Sequence, residues 1–411
     1  MIHSFKIKNF YSIGDEVNVN LESRKKVVPY PELYVNAPLD KKVTKIEFIG
    51  GKNASGKTNV LRALAFIKYL IVDSAGEADK HSEIPYQQFF SLDGEPTELS
   101  VRFSFDDKYI YQYSVTLNKA RIIEEELVKS YFVDKKSATS TVFARKWLSK
   151  KIGYETKISD EMPILNKMTG LKSLNDDNFK ASFISVFSNF DVKTGILSRI
   201  KNYWENVTSN VMFIGSAESE LSLTKLSART LQEIYEQKDL KEYISEMLRK
   251  FDIGFSKIDK KEKMGTNQDE VIYGILHEYD GFSFGASMQA ESNGTKRLII
   301  LVRDVWSALA TGGVAVIDEL DAFLHPDIYD DIIEKFMSTN INKKNSQLIF
   351  SSHNYTTLSK LDKQQITLTD KNNRGETEVW RLDEMSGIRP DDNFYQKYLM
   401  GVYGAKPNLG Q

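Results

Sequence analysis

Apolar and polar positions follow two different periods along this chain, and the period changes with position. Residues 98–105 and 109–115 alternate apolar and polar side chains around a short polar turn, which predicts an antiparallel hairpin. Residues 46–49 form a short run that is apolar except for Glu47, and residues 59–67 carry apolar side chains at helical spacing. The first lobe, residues 1–136, is therefore predicted to combine antiparallel strands with one strand-loop-helix unit.

A different pattern begins near residue 137. The composition of residues 137–210 is more polar, and apolar residues return at spacings of three and four. One helix face is predicted to carry Ile196, Leu197, Ile200, Tyr203, Trp204 and Val207. We interpret this stretch as a mostly helical insertion.

The remaining lobe, residues 211–411, alternates helix and strand signals. A helix is predicted from about Thr295, a strand over residues 314–317, a helix after Pro326 and a strand over residues 347–350. Such alternation is typical of a parallel sheet covered by helices. The fold class predicted for the whole chain is α/β, with a parallel-sheet core, an antiparallel β lobe and a helical insertion.

Composition and charge limit the function classes. The 411 residues are 41% hydrophobic, as is usual for a globular protein, and 55 basic against 57 acidic residues give a formal net charge of −2. The overall charge therefore gives no indication that the protein binds nucleic acid. The absence of cysteine excludes disulfides and thiolate metal sites. No signal-peptide pattern and no bilayer-length apolar run is evident, so we expect a cytoplasmic protein without a membrane partner.

The segment between the apolar run and its helix carries the most specific motif. It reads Gly51-Lys52-Asn53-Ala54-Ser55-Gly56-Lys57-Thr58, a complete G-x-x-x-x-G-K-[ST] phosphate loop. Glycines let the backbone approach phosphates, and the loop N–H groups and helix N-terminus attract them. Lys57 is expected to reach the β- and γ-phosphates, and the Thr58 hydroxyl to bind Mg²⁺. The sequence thus predicts a nucleoside triphosphate site.

Two later segments can complete such a site. The strand over residues 314–317 ends in Asp318 and Glu319, the form of a Walker B segment. Asp318 is expected to hold Mg²⁺ through water, and Glu319 to orient or deprotonate the attacking water. His353 follows the next strand and is a candidate sensor of the γ-phosphate, with a capping or core histidine as the alternative.

A third segment, Ser292-Asn293-Gly294, precedes the helix that begins near Thr295. A helix start of this kind is rich in backbone donors and can bind an anion. An ordinary helix N-cap is the alternative interpretation of this turn when it is taken alone.

The order of these segments resembles the ABC-type ATPases, specifically the branch that contains the SMC, RecF and OLD proteins. The opening Asn9-Phe10-Tyr11-Ser12 is similar to the "NF-x-S" turn of that branch. Within it, residues 51–59, 291–297 and 398–407 look like the stand-alone defence ATPases of the RloA and AbiLi type and the AriA subunit of PARIS anti-phage systems.

The resemblance implies a set of site residues. Catalysis is expected from Glu319 and His353, and Mg²⁺ binding from Thr58 and Asp318. ATP, favoured over GTP by the resemblance alone, is expected to contact Gly51, Asn53, Ser55, Gly56, Lys57, Thr58, Asn59, Gln88, Ser292, Asn293 and Gly294. Gln88, with Gln87 as the alternative, stands for the Q-loop glutamine. Ser292 to Gly294 stand for the signature turn, which in the family binds the nucleotide of the opposite subunit.

The resemblance also implies a function. We expect a homodimer with ATP between its subunits that senses infection and controls a separately encoded Toprim-like or RloB-like effector. A larger oligomer and a phage protein as trigger stay open. The alternative is a DNA-repair ATPase similar to RecF and Rad50 that clamps duplex DNA, with DNA as its ligand.

Overall fold

The computed structural model describes residues 1–24, 30–77, 83–190, 195–211, 220–250, 255–263, 270–322 and 324–406. Its strands are β1 (Ile2–Lys8), β2 (Val17–Asn20), β3 (Tyr34–Ala37), β4 (Lys41–Thr44), β5 (Ile46–Gly50), β6 (Thr97–Phe103), β7 (Ile110–Asn118), β8 (Arg121–Val133), β9 (Lys136–Ser149), β10 (Gly153–Ile158), β11 (Val207–Ser209), β12 (Phe255–Lys263), β13 (Glu270–Tyr279), β14 (Phe282–Ser287), β15 (Val314–Ile317), β16 (Gln347–Ser351), β17 (Ile366–Lys371) and β18 (Thr377–Arg381). Its α-helices are α1 (Lys57–Val72), α2 (Ser74–Glu77), α3 (Pro163–Asn166), α4 (Leu171–Asp177), α5 (Phe183–Phe187), α6 (Ile196–Glu205), α7 (Glu220–Glu236), α8 (Lys238–Lys250), α9 (Asn293–Thr311), α10 (Pro326–Met337) and α11 (Phe394–Leu399).

A mixed sheet from both halves of the chain forms the centre of the fold. Its strand order is β11-β15-β16-β5-β17-β18, and every pair is parallel except β17 with β18. All five residues of β5 are buried, because helices cover both faces of a parallel sheet and leave no solvent-facing side. The predicted α/β class is confirmed, and the carboxyl ends of β5 and β15 lie at one sheet edge.

The second sheet is antiparallel and has the order β10-β9-β8-β7-β6-β1-β2. The predicted hairpin is confirmed as β6 and β7, which pair antiparallel with Val101 opposite Tyr113. Both strands alternate buried and partly exposed residues over most of their length, as expected for strands with one core-facing side. This sheet packs on α1 and so supports the helix that follows the phosphate loop.

The stretch predicted to be a mostly helical insertion differs in its first part. Residues 136–158 form β9 and β10, and the helices begin only at Pro163. The side chains of Arg145 on β9 and Glu125 on β8 are fully buried and lie 2.6 Å apart. Arg145 also donates to Asn175 and to the carbonyl of Ala181. This buried pairing fixes β9 against β8, since leaving either charge unpaired would be costly.

The helical part of that stretch belongs to the main core. Phe183 of α5 and Trp204 of α6 share one apolar cluster with Leu64 of α1 and Val101 of β6. A separate cluster joins α7, α8 and the three-stranded sheet β12-β13-β14 to the inner face of α9. Within the described ranges, no helix is long and apolar enough to cross a membrane.

One buried acid in β5 gives a testable consequence for stability. Glu47 is fully buried and accepts a 2.7 Å hydrogen bond from the Thr367 hydroxyl. Burial raises the pKa of Glu47 from 4.5 to about 8, although Arg381 opposes the shift. The folded state therefore binds a proton that the unfolded chain releases between these values, and stability falls as pH rises through that window.

We expect Glu47→Gln to be nearly neutral below pH 4.5 and to stabilise the protein progressively up to about pH 8, by at most about 5 kcal/mol. Denaturant unfolding of both proteins across this pH range measures the difference. The control is Glu378→Gln, which removes an exposed acid from β18 and should give no such pH-dependent gain. A stability difference independent of pH would show that the pKa of Glu47 is the same in the folded protein as in the unfolded chain.

Candidate nucleotide-binding site

The phosphate loop lies between β5 and α1 and is shaped by two glycines. Gly51 has φ +149° and Gly56 has φ +112°, conformations that side chains disfavour. A Cβ on Gly56 would lie 2.1 Å from Thr377 Oγ1, and one on Gly51 would lie 2.4 Å from the Thr369 carbonyl. The loop thus lies directly against β17 and β18, and neither glycine leaves room for a side chain.

The lysine of the motif points back into the loop. Its Nζ donates to the carbonyls of Gly51 (2.9 Å) and Lys52 (3.2 Å). Burial lowers the pKa of Lys57, and the nearby carboxylates of Asp318 and Glu319 oppose the shift. This is a cation held close to where phosphates would lie.

The two halves of the predicted site meet at Thr58. Its hydroxyl donates to Asp318 Oδ2 at 2.7 Å, and the Ser351 hydroxyl donates to the other oxygen of Asp318. The Asn210 side chain accepts from the Asp318 N–H at 2.8 Å and donates to its carbonyl at 3.0 Å. The predicted Mg²⁺ residues therefore lie side by side, with Asp318 fixed from both its backbone and its side chain.

The candidate base and the candidate sensor face the same cleft. Glu319 adopts φ +51°, which is uncommon for a residue with a side chain and marks a constrained turn. Its N–H donates to Ser351 Oγ at 2.8 Å. The His353 N–H donates to the Asp321 carboxylate at 3.1 and 3.2 Å. These contacts hold both backbones while leaving the side chains exposed.

The cleft has a volume of about 730 Å³, within the usual range for small-molecule sites. Its lining residues are Ser12, Asn53, Ala54, Gly56, Lys57, Thr58, Asn59, Glu319, Asp321, Ala322, His353 and Lys371. Gly51 and Ser55 do not line it, and Ser55 is buried with its hydroxyl 2.6 Å from Thr369 Oγ1. The cleft thus brings five of the predicted nucleotide contacts, from Asn53 and Gly56 to Asn59, together with Glu319 and His353.

Besides Gly51, Ser55 and Asp318, four more predicted residues lie outside this cleft lining. Gln88 donates its amide to the Glu95 carbonyl. Ser292 caps α9 by accepting from the Thr295 N–H at 3.0 Å, and Asn293 and Gly294 form the first turn of that helix. The roles assigned to these four residues stay predictions.

Sequence reasoning missed several residues of the site. Ser12 belongs to the opening motif but was not predicted as a site residue, and its Oγ accepts from Asn59 Nδ2 at 2.6 Å. Lys371 lines the cleft and donates to the Gly375 carbonyl at 2.8 Å. Asn210 lies at the end of β11, in a stretch whose spacing predicted a helix, so no sequence signal pointed to it.

The residues of this site fit a nucleotide bound together with Mg²⁺. The glycine-walled loop and the Lys57 ammonium suit phosphates, and the paired oxygens of Thr58 and Asp318 suit a hard cation that prefers oxygen ligands. When bound, Mg²⁺ would neutralise charge on the phosphates.

The family comparison agrees with this chemistry. A family model described as "AAA domain, putative AbiEii toxin, Type IV TA system" matches residues 48–156 and 175–359, more than half of the chain. The chain belongs to this family and is thus a member of an ATPase family. The match covers the phosphate loop, the Asp318-Glu319 strand end and His353.

Solved structures show a distant likeness to SMC heads. The Pyrococcus furiosus Smc head domain with an extended coiled coil, bound to the C-terminal domain of ScpA, is 13% identical, with 98% of this chain and 99% of that chain covered and a TM-score of 0.43. The Thermotoga maritima SMC head domain is 12% identical, with 92% and 98% covered and a TM-score of 0.36. No curated protein matches. The family assignment rests on the family model.

Proposed function

We propose that this protein is an ATP-binding and ATP-hydrolysing switch that works as a head-to-tail pair of chains with two nucleotides held between them. The observation that carries the proposal is the contact of Thr58 with Asp318 at 2.7 Å, in the cleft that Glu319 and His353 also line. In this proposal the loop holds the phosphates, Thr58 and Asp318 hold the cation and Glu319 acts as the base, which are the parts that phosphoryl transfer needs.

The position of the signature-like turn supports the pairing of two chains. Ser292 and Asn293 are exposed and do not line the cleft of their own chain. They begin α9, a helix of 19 residues, whose N-terminus favours anions. In the proposed pair, a second chain lies against this helix end, and the N–H groups of the helix then donate to the γ-phosphate of the nucleotide bound in that second chain.

The biological role proposed is bacterial anti-phage defence in the cytoplasm. The matched family is described by a toxin of a type IV TA system, and the motifs of this chain resemble defence ATPases. In this proposal, ATP binding assembles the dimer or a larger oligomer, a phage component triggers it, and hydrolysis resets it. The output would be a separately encoded Toprim-like or RloB-like effector.

Solution mass tests the switch. We expect the purified chain to shift towards dimers or larger species with ATP and Mg²⁺, and to return when the nucleotide is hydrolysed or removed. Light scattering after size-exclusion chromatography measures this at matched protein concentrations, with ADP as the control nucleotide. A mass that stays monomeric under every condition would contradict the shared site.

A further inference from the structure

A tyrosine outside the family motifs holds the first glycine of the phosphate loop. Tyr355 lies just after His353, at the start of a short 3-10 helix over Tyr355–Lys360. Its hydroxyl donates to the Gly51 carbonyl at 2.7 Å and accepts from the Gly51 N–H at 3.1 Å. One side chain thus engages both backbone groups of a single loop residue.

This contact shares an acceptor with Lys57. The Gly51 carbonyl also accepts from Lys57 Nζ at 2.9 Å, and a carbonyl oxygen has two lone pairs for two donors. When Lys57 turns to the phosphates, as the motif requires, Tyr355 can keep the carbonyl satisfied. The peptide of Gly51 then stays in place while the ammonium changes partner.

The Tyr355 ring is itself held from two sides. The Tyr398 ring of α11 stacks on it, with centroids 4.0 Å apart and planes at 19°. Phe48 of β5 contacts it edge-on at 5.9 Å. Tyr398 is nearly fully buried, and its hydroxyl donates to the Ala405 carbonyl at 3.1 Å. Packing against these two rings leaves the hydroxyl of Tyr355 little freedom.

We propose that Tyr355 is a positioning residue for nucleotide binding and acts through Gly51, and that Tyr398 braces it from the C-terminal helix. The inference rests on the nucleotide binding in the proposed function. It adds that the contact of Tyr355 with Gly51 raises the affinity of the loop for the nucleotide. A preorganised loop presents its N–H groups to the phosphates without losing further conformational entropy when the nucleotide binds. Because Tyr355 does not line the cleft, its removal should weaken binding more than it slows hydrolysis.

The test compares three single variants with the unaltered chain. We expect Tyr355→Phe to raise the Kd for ADP with Mg²⁺ and the KM for ATP about tenfold, as loss of one or two hydrogen bonds predicts. The kcat should stay within about twofold, since the donors that act on the transition state are unchanged. Tyr398→Leu should give a similar loss of affinity. The double variant should lose little more than either single variant, because both act through the same contact.

Tyr329→Phe is the matched control. Its hydroxyl lies 2.6 Å from Thr357 Oγ1 in the same region and does not contact the loop. Both tyrosine-to-phenylalanine changes are expected to lower Tm without nucleotide, but only Tyr355→Phe should reduce the further rise in Tm that ADP produces.

Two outcomes would overturn the inference, and they can be told apart. If Tyr355→Phe binds ADP as tightly as the unaltered chain, the tyrosine is only structural and the proposed function stands. If the unaltered chain itself fails to bind ADP or ATP, the proposed nucleotide switch fails together with the inference.

Discussion

Glu319→Gln is expected to lower steady-state ATP turnover by about 100-fold or more while leaving ATP binding intact. Removal of a general base typically costs 10²–10⁴-fold, and glutamine preserves the shape of the side chain. It should also tolerate the φ of +51° at this position about as well as glutamate. With hydrolysis blocked, the ATP-bound assembly should persist. Phosphate release and solution mass, measured on the same sample, report both effects.

The control for this experiment is Asp327→Asn, which removes a highly exposed acid at the first turn of α10. It should turn over ATP like the unaltered chain. Unchanged turnover in Glu319→Gln would remove this residue as the base. If turnover is lost but the assembly does not last longer, ATP hydrolysis is not what disassembles the oligomer.

The second large effect is expected from mixing two inactive variants. Lys57→Ala should abolish nucleotide binding in its own chain. Ser292→Asp should keep the helix cap, because aspartate is a good N-cap residue, but place a negative charge against the γ-phosphate of the partner's nucleotide. Each variant alone should lose at least about 100-fold in turnover.

In a head-to-tail dimer, a mixed pair contains one intact site, made of the loop from the Ser292→Asp chain and the turn from the Lys57→Ala chain. Random pairing should therefore restore up to about a quarter of the unaltered activity. As a control, the variant that carries both changes in one chain should be inactive, because its dimers contain no intact site. If the mixture stays inactive although both variants fold, or if Ser292→Asp is fully active alone, the turn is only a helix cap.

The parts of the site that could be predicted are those encoded locally. The phosphate loop is contiguous, and its glycines are required by the backbone conformation at Gly51 and Gly56. The strand ending in Asp318 and Glu319 is a short apolar run with a polar end. Such signals depend on neighbouring residues and survive without knowledge of the tertiary fold.

The parts that could not be predicted depend on distant pairing. Asn210 contacts Asp318 across 108 positions, and Tyr355 contacts Gly51 across 304. No local pattern specifies either contact. The strand β9 was missed for a related reason: its Ser- and Thr-rich start looks polar, and its partner β8 and the buried pair of Arg145 with Glu125 become visible only in three dimensions.

The insertion of β5 between β16 and β17 has a consequence for synthesis of the protein. At translation rates of about 5–20 residues per second, Gly51 leaves the ribosome roughly 15–60 s before Tyr355, its partner 304 positions later. During that time the backbone N–H and C=O groups along both edges of β5 have no strand to pair with. A chain that is truncated before β16, for example because its mRNA is damaged, cannot form the nucleotide site. We therefore expect an incomplete subunit to be inactive. For a protein proposed to control a toxic effector, only a fully synthesised chain could then activate that effector.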